Sequence, residues 1–184
     1  MNFGEWDRKI FLLINGLAES RWDYLFGWST FLGTYFLFLL VLIFMLIWDQ
    51  HKVFKKFLVV LIVGTSGGLA ASLFKSLIKH PRPYTFFYDD IAAGKVVMHN
   101  LFNTYVSNSF PSGHAALAFA TVVALNTVYK GKLPFLYLFA VLIAVSRIYV
   151  GAHFPSDVLG GALVGTFAAL AVTKLQPIQK IIEA

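Results

Sequence analysis

The 184 residues contain no cysteine, which removes disulfides, thiolate nucleophiles, cysteine-ligated zinc and iron–sulfur clusters together. Charge is also scarce: 13% of residues are Asp, Glu, Lys or Arg, against about 25% in an average soluble domain. Acids are the rarer sign, nine against fifteen Lys and Arg, leaving a net charge of +6. Polar surface is therefore too small to cover a water-soluble monomer, because 58% of the chain is hydrophobic and 17% aromatic, with a mean hydropathy of +0.72. That composition makes the bilayer the natural solvent. The basic residues flank apolar runs and form no polar stripe, so the positive balance indicates membrane orientation and, at a few positions, anion binding, with no nucleic-acid partner. Neither a repeat nor a low-complexity tract is present, and the length suits one domain over 1–184.

The first apolar stretch, Phe3 to Leu17, is broken by Glu5, Asp7, Arg8 and Lys9. It is too short and too charged to cross about 30 Å of hydrocarbon, and is expected to form an interfacial helix. No small-residue cleavage site follows it, so it does not resemble a cleavable signal. Five longer apolar runs follow: Thr30 to Trp48, Phe57 to Phe74, Ser112 to Tyr129, Leu133 to Val150 and Pro155 to Thr173. The expected fold is all-α, a polytopic transmembrane helix bundle of about five spanning helices plus the N-terminal interfacial one. Gly64, Gly67, Gly68, Ala70 and Ala71, and later Gly161 and Gly165, form smooth stripes for close helix packing. Between Lys75 and Pro111 no run is long enough to span. The aromatics Tyr84, Phe86, Phe87, Tyr88, Phe102 and Tyr105 argue against disorder there and favour a lid or interfacial segment. Because spans alternate in direction, the ends at Lys75, Ser112, Val150 and Pro155 fall on one side of the membrane.

Three clusters of reactive residues share that side. Lys75 is followed after six residues by Arg82-Pro83, two cations at a helix mouth with a stiffened exit, a combination suited to phosphate. In Ser109-Phe110-Pro111-Ser112-Gly113-His114, Ser112 is a good N-cap, Gly113 lets an anion approach free backbone N–H groups, and His114 sits in the first turn within reach of a phosphate oxygen. The third cluster is Ser146-Arg147, His153 and Asp157. Pro155 suits a first helical position, so Asp157 can reach one nitrogen of His153 and leave the other free to attack, while Arg147 offers a fork of donors. Two histidines, one carboxylate and three cations make a phosphoryl-transfer site that needs no metal or other cofactor. Asp89-Asp90 is expected to be a hydrated loop, with no metal ligands of suitable spacing.

These clusters resemble the three signature motifs of the type 2 phosphatidic acid phosphatase superfamily, the lipid phosphate phosphatases. The resemblance rests on Lys75, Arg82 and Pro83; on Pro111, Ser112, Gly113 and His114; and on Ser146, Arg147, His153 and Asp157. It implies a membrane lipid phosphatase in which His153 is the nucleophile, His114 the general acid and Asp157 the orienter. Lys75, Arg82, Ser112, Gly113 and Arg147 would hold the phosphate. It further implies metal-independent cleavage of a phosphate monoester or pyrophosphate on an envelope lipid, of the undecaprenyl diphosphate or lipid A 1-phosphate class, with phosphatidylglycerol phosphate and phosphatidate as further substrates. The competing class is a lipid-binding or lipid-transporting homologue that has lost the chemistry; such a protein should lack His114, Arg147 or His153, and all three are present.

Other residues have plainer readings. His51 belongs to a loop on the opposite face, and His80 and His99 lie on the motif face without a motif role. The orientation follows from basic residues near the span ends. The face opposite the motifs carries seven: Lys52, Lys55, Lys56, Lys130, Lys132, Lys174 and Lys180. With Lys75, Arg82 and Arg147 set aside as site residues, the motif face carries five: Arg8, Lys9, Arg21, Lys79 and Lys95. The expectation is a cytoplasmic C-terminus and a site facing the periplasm or cell exterior.

Overall fold

A computed structural model of the chain describes residues 4–18, 20–34, 36–48, 52–101 and 108–183. His51, Phe102 and Tyr105 lie outside the described residues. Among those described there are ten helices and no strand: α1 Glu5–Asn15, α2 Ser20–Leu32, α3 Phe36–Trp48, α4 Val53–Leu77, α5 Pro83–Phe86, α6 Tyr88–Ala92, α7 Gly113–Val128, α8 Leu136–Tyr149, α9 Pro155–Thr173 and α10 Gln176–Glu183. The all-α expectation holds. Two helices, α4 with 25 residues and α9 with 19, are each long and apolar enough to cross a membrane, while α7 and α8 are apolar and shorter.

The run from Thr30 to Trp48 is not the single helix expected of it. It breaks between α2 and α3, whose axes bend by 81°. At the break Gly33 packs closely on its neighbours, for a Cβ there would lie 2.7 Å from Ile143 Cγ2 and 2.9 Å from His114 Cδ2. Thr34 closes the turn: its hydroxyl donates to Phe31 O at 2.5 Å and accepts from Phe36 N at 3.4 Å. Phe31 O and Phe36 N, at the two sides of the break, thereby find a local partner, as an apolar surrounding requires.

α7 forms the centre of the bundle, held between α4 and α9. Small residues permit this: a Cβ on Gly67 would lie 2.6 Å from Ala116 O, and one on Gly165 would lie 2.1 Å from the same oxygen. Large side chains point outward instead, Leu159, Leu163, Phe167 and Leu170 forming one exposed stripe along α9. This arrangement suits helices whose outer surface faces lipid and whose association depends on close packing. Gly68 departs from the expected stripe, since its Cβ position would meet nothing nearer than Leu117 Cδ1 at 3.9 Å.

α1 is more than an interfacial helix. Its inner face, at four-residue spacing, buries Asp7, Phe11 and Asn15. Phe11 packs on Phe87 and Phe154, at centroid distances of 5.9 and 5.2 Å. Asn15 donates to Tyr149 O and His99 O and accepts from His99 N. The long segment between α4 and α7 contains the short helices α5 and α6, and Phe87 between them is buried. Asp89 and Asp90 therefore lie in the first turn of α6, where the helix dipole favours acids, and not in a loop.

Candidate active site

Four helix ends meet where the sequence places them on one side. Asn108 Nδ2 donates to Lys75 O at 2.8 Å, Leu101 N donates to Val150 O at 3.3 Å, and Ser112 N donates to Asp157 O at 2.9 Å. The first two bonds tie the C-terminal ends of α4 and α8 to the segment that precedes α7, and the third ties the N-terminal end of α7 to that of α9.

Each local structure follows from its residue types. Ser112 has extended backbone and caps α7, its hydroxyl accepting from Ala115 N at 3.5 Å. His114 is thereby held in the first turn, and no atom lies within 4 Å of the place a Cβ would take on Gly113. Gly151, at φ +78°, turns the chain sharply after α8, so that Ala152 N and His153 N both donate to Arg147 O. Pro155 opens α9, as its fixed φ favours, and Asp157 caps that helix by accepting from Phe154 N at 2.8 Å.

All the candidate site residues converge here. The Nδ1 atom of His153 lies 3.5 Å from Asp157 Oδ2, longer than a direct hydrogen bond. Ser109 bridges the gap: its hydroxyl donates to Asp157 Oδ2 at 2.5 Å and lies 3.2 Å from His153 Nδ1. With that nitrogen protonated, a chain of donors runs from His153 through Ser109 to Asp157, and Nε2 is left with its lone pair. Burial pushes the pKa of His153 down to about 3, against the opposing pull of Asp157, so the imidazole is neutral at physiological pH.

The cations surround this pair. Arg82 anchors itself through Nη1 to Ala152 O at 2.9 Å. Arg147 is only 5% exposed, and its Nε finds no hydrogen-bond partner among the described residues. Lys75, Arg82 and Arg147 all lie near enough to His114 for their charges to act on it. A guanidinium withdrawn from water with an unanswered donor is costly unless an anion completes it. Beside His114 a groove of about 510 Å³ is lined by Gly33, Thr34, Thr65, Gly68, Leu69, Ser72, Gly113 and Leu117. Gly68 lines this space where the stripe reading would have it pack.

Two residues without an assigned role join the site. Ser109 stands directly before the Phe110-Pro111-Ser112 turn, and that adjacency was its only signal. His80 is buried, with Nδ1 2.9 Å from Asp157 Oδ1. A histidine beside Pro81-Arg82 has no spacing relation to Asp157, so sequence alone could not pair them. His99 instead lies 3.0 Å from Asp23 Oδ1, away from the candidate site residues.

Comparison with known proteins matches residues 54–180 to the PAP2 superfamily. YbjG of Escherichia coli K12 is 30% identical over 171 residues, covering 89% of this chain and 79% of that protein. The undecaprenyl-diphosphatase BcrC of Bacillus subtilis strain 168 is 30% identical over 159 residues, 85% of this chain and 77% of that one. The crystal structure of Aquifex aeolicus LpxE superposes with a TM-score of 0.73 at 30% identity, covering 95% of this chain and 99% of that chain. The matched region contains all three clusters of the site, and the chain belongs to the PAP2 superfamily as an integral-membrane phosphoric ester hydrolase.

Proposed function

We propose that the protein hydrolyses the pyrophosphate of a polyprenyl lipid of the undecaprenyl diphosphate class through a phosphohistidine on His153, without a metal. Neutral His153 attacks the terminal phosphorus through Nε2, and the bond from phosphorus to the bridging oxygen breaks. His114 gives its proton to that leaving oxygen, releasing the lipid monophosphate. Water then attacks the phosphohistidine, His114 takes the proton from the water, and the P–N bond breaks to release inorganic phosphate. Asp157 offsets the positive charge on the phosphorylated imidazole. Lys75, Arg82, Arg147 and the free N–H groups above Ser112 and Gly113 hold the phosphate oxygens, which carry most charge in the transition state.

The observation that carries this reading is the buried guanidinium of Arg147 with its unpartnered Nε, set beside two more cations and a neutral histidine. Such a site has positive charge to spare and a nucleophile that needs no deprotonation. The groove beside His114 supplies a place for the chain of a lipid substrate, and Leu69 on its wall is exposed at the outer surface of the bundle. Relatives that match most of the chain favour a pyrophosphate head group. The proposed orientation places the site outside the cytoplasmic membrane, where it meets lipids already moved to the outer leaflet.

The test is phosphate release from purified undecaprenyl diphosphate, lipid A 1-phosphate, phosphatidylglycerol phosphate and phosphatidate, each in excess chelator. Turnover unaffected by chelator and fastest on the diphosphate is expected. Loss of turnover on chelation removes the metal-free mechanism. A preference for lipid A 1-phosphate transfers the assignment to that head group.

A further inference from the structure

Asp157 is fully buried, and its two oxygens have separate tasks. Oδ2 accepts from Ser109 Oγ and from Phe154 N and faces His153. Oδ1 has one partner among the described residues, His80 Nδ1 at 2.9 Å. A carboxylate without water needs a donor on each oxygen, or it turns to find one. Turning Asp157 would draw Oδ2 away from Ser109 and leave the tautomer of His153 unsupported.

The chain delivers His80 by a simple device. Between α4 and α5 the backbone is extended, and burial alternates: Lys79 and Pro81 are exposed, His80 is buried and Arg82 is partly buried. Alternate side chains of an extended segment point the same way, so the stretch that brings Arg82 to the phosphate site brings His80 to Asp157. The carbonyl of His80 also accepts from Ser109 N at 2.7 Å. One residue therefore touches both partners of His153, Asp157 through its side chain and Ser109 through its backbone.

We infer that His80 is a positioning residue for the transfer step, holding Asp157 Oδ1 so that Oδ2 and Ser109 keep His153 aimed and in the attacking tautomer. This role rests on the phosphohistidine reading given above. In this arrangement His80 acts through Asp157, so its loss slows the chemistry and leaves binding almost unaltered. The backbone bond to Ser109 survives substitution, so the variants test the side chain and not the main chain.

The experiment uses the full-length protein in proteoliposomes with undecaprenyl diphosphate as the probe, comparing His80→Leu, His80→Asn, His80→Gln and His153→Ala. An Asn amide nitrogen stands as many bonds from Cα as Nδ1 of histidine, and a Gln amide nitrogen as many as Nε2. His80→Leu is expected to lower kcat about ten- to a hundred-fold, the size of one charge-assisted hydrogen bond, with KM changed less than about threefold. Phosphohistidine formation in rapid quench falls by the same factor. His80→Asn restores most of the rate and His80→Gln does not. Should His80→Leu fail to fold, the contrast between Asn and Gln decides alone, since both are polar amides differing in which nitrogen they replace. Equal rates for Asn and Gln, or a His80→Leu enzyme with kcat within about twofold of wild type, would overturn the inference. Turnover retained in His153→Ala would instead overturn the phosphohistidine reading itself.

Discussion

Asp7 in α1 accepts from Ser156 twice, from the backbone N at 2.8 Å and from the hydroxyl at 2.6 Å. Both groups are buried, and Ser156 precedes Asp157 in the first turn of α9. The N-terminal helix is thus bonded to the helix that carries the carboxylate of the site, and the negative charge sits at the positive end of that helix.

Replacing Asp7 with Ala leaves two buried donors unanswered and is expected to destabilise the protein by about 2–3 kcal/mol. Ser156→Ala keeps the backbone donor bonded and costs about half as much. Thermal unfolding in detergent measures both. Equal midpoints for Asp7→Ala and wild type would mean that α1 contributes nothing through this bond.

His153→Ala is expected to abolish turnover together with any covalent phosphoenzyme. His114→Ala should act unevenly, since a monoester alcohol leaves poorly without a proton while the phosphate of a pyrophosphate leaves more easily. The ratio of the two substrates' kcat values in the His114 variant reads this directly. An equal loss on both substrates removes the general-acid role.

Arg147→Lys keeps the charge and loses the planar fork. Turnover is expected to fall by at least about a hundred-fold, because an ammonium cannot bond two phosphate oxygens in one plane. Wild-type kinetics in this variant would reduce Arg147 to a cation at a helix end.

The pKa of His153, lowered to about 3, has a definite sign for stability. The unfolded imidazole binds a proton below about 6.5, whereas the folded one stays neutral down to its lowered value. Between those limits the unfolded state holds more protons, so the contribution of His153 is complete above about pH 6.5 and is lost as pH falls toward its folded pKa. The wild-type unfolding midpoint should therefore drop more between pH 7.5 and pH 5 than that of His153→Asn. Parallel drops would show that burial does not hold this histidine neutral.

The proposed orientation is tested with reporters fused after Ala184. A fluorescent fusion active in the cytoplasm is expected, with a phosphatase fusion silent. The opposite result moves the site, and its substrate pool, to the inner leaflet.

The sequence by itself determined the class of solvent, the helical architecture and most of the candidate site. Composition excludes a water-soluble monomer, and the cap at Ser112 and the helix start at Pro155 are local effects of one residue on its own backbone. Three clusters in fixed order single out the candidate site residues without any contact being known. Tertiary structure decided what depends on distant partners. The apolar run through Gly33 and Thr34 has the hydropathy of a single span, yet it breaks where the chain passes against His114 and Ile143. Asp7 reads as a charge that keeps α1 out of the membrane, until α9 offers it two donors. His80 and Asp157 are 77 positions apart, and hydrogen bonds across such separations follow from how helices pack, which no spacing along the chain encodes. For the same reason the direct pairing of His153 with Asp157, legible as a four-residue spacing, becomes in three dimensions a bridge through Ser109.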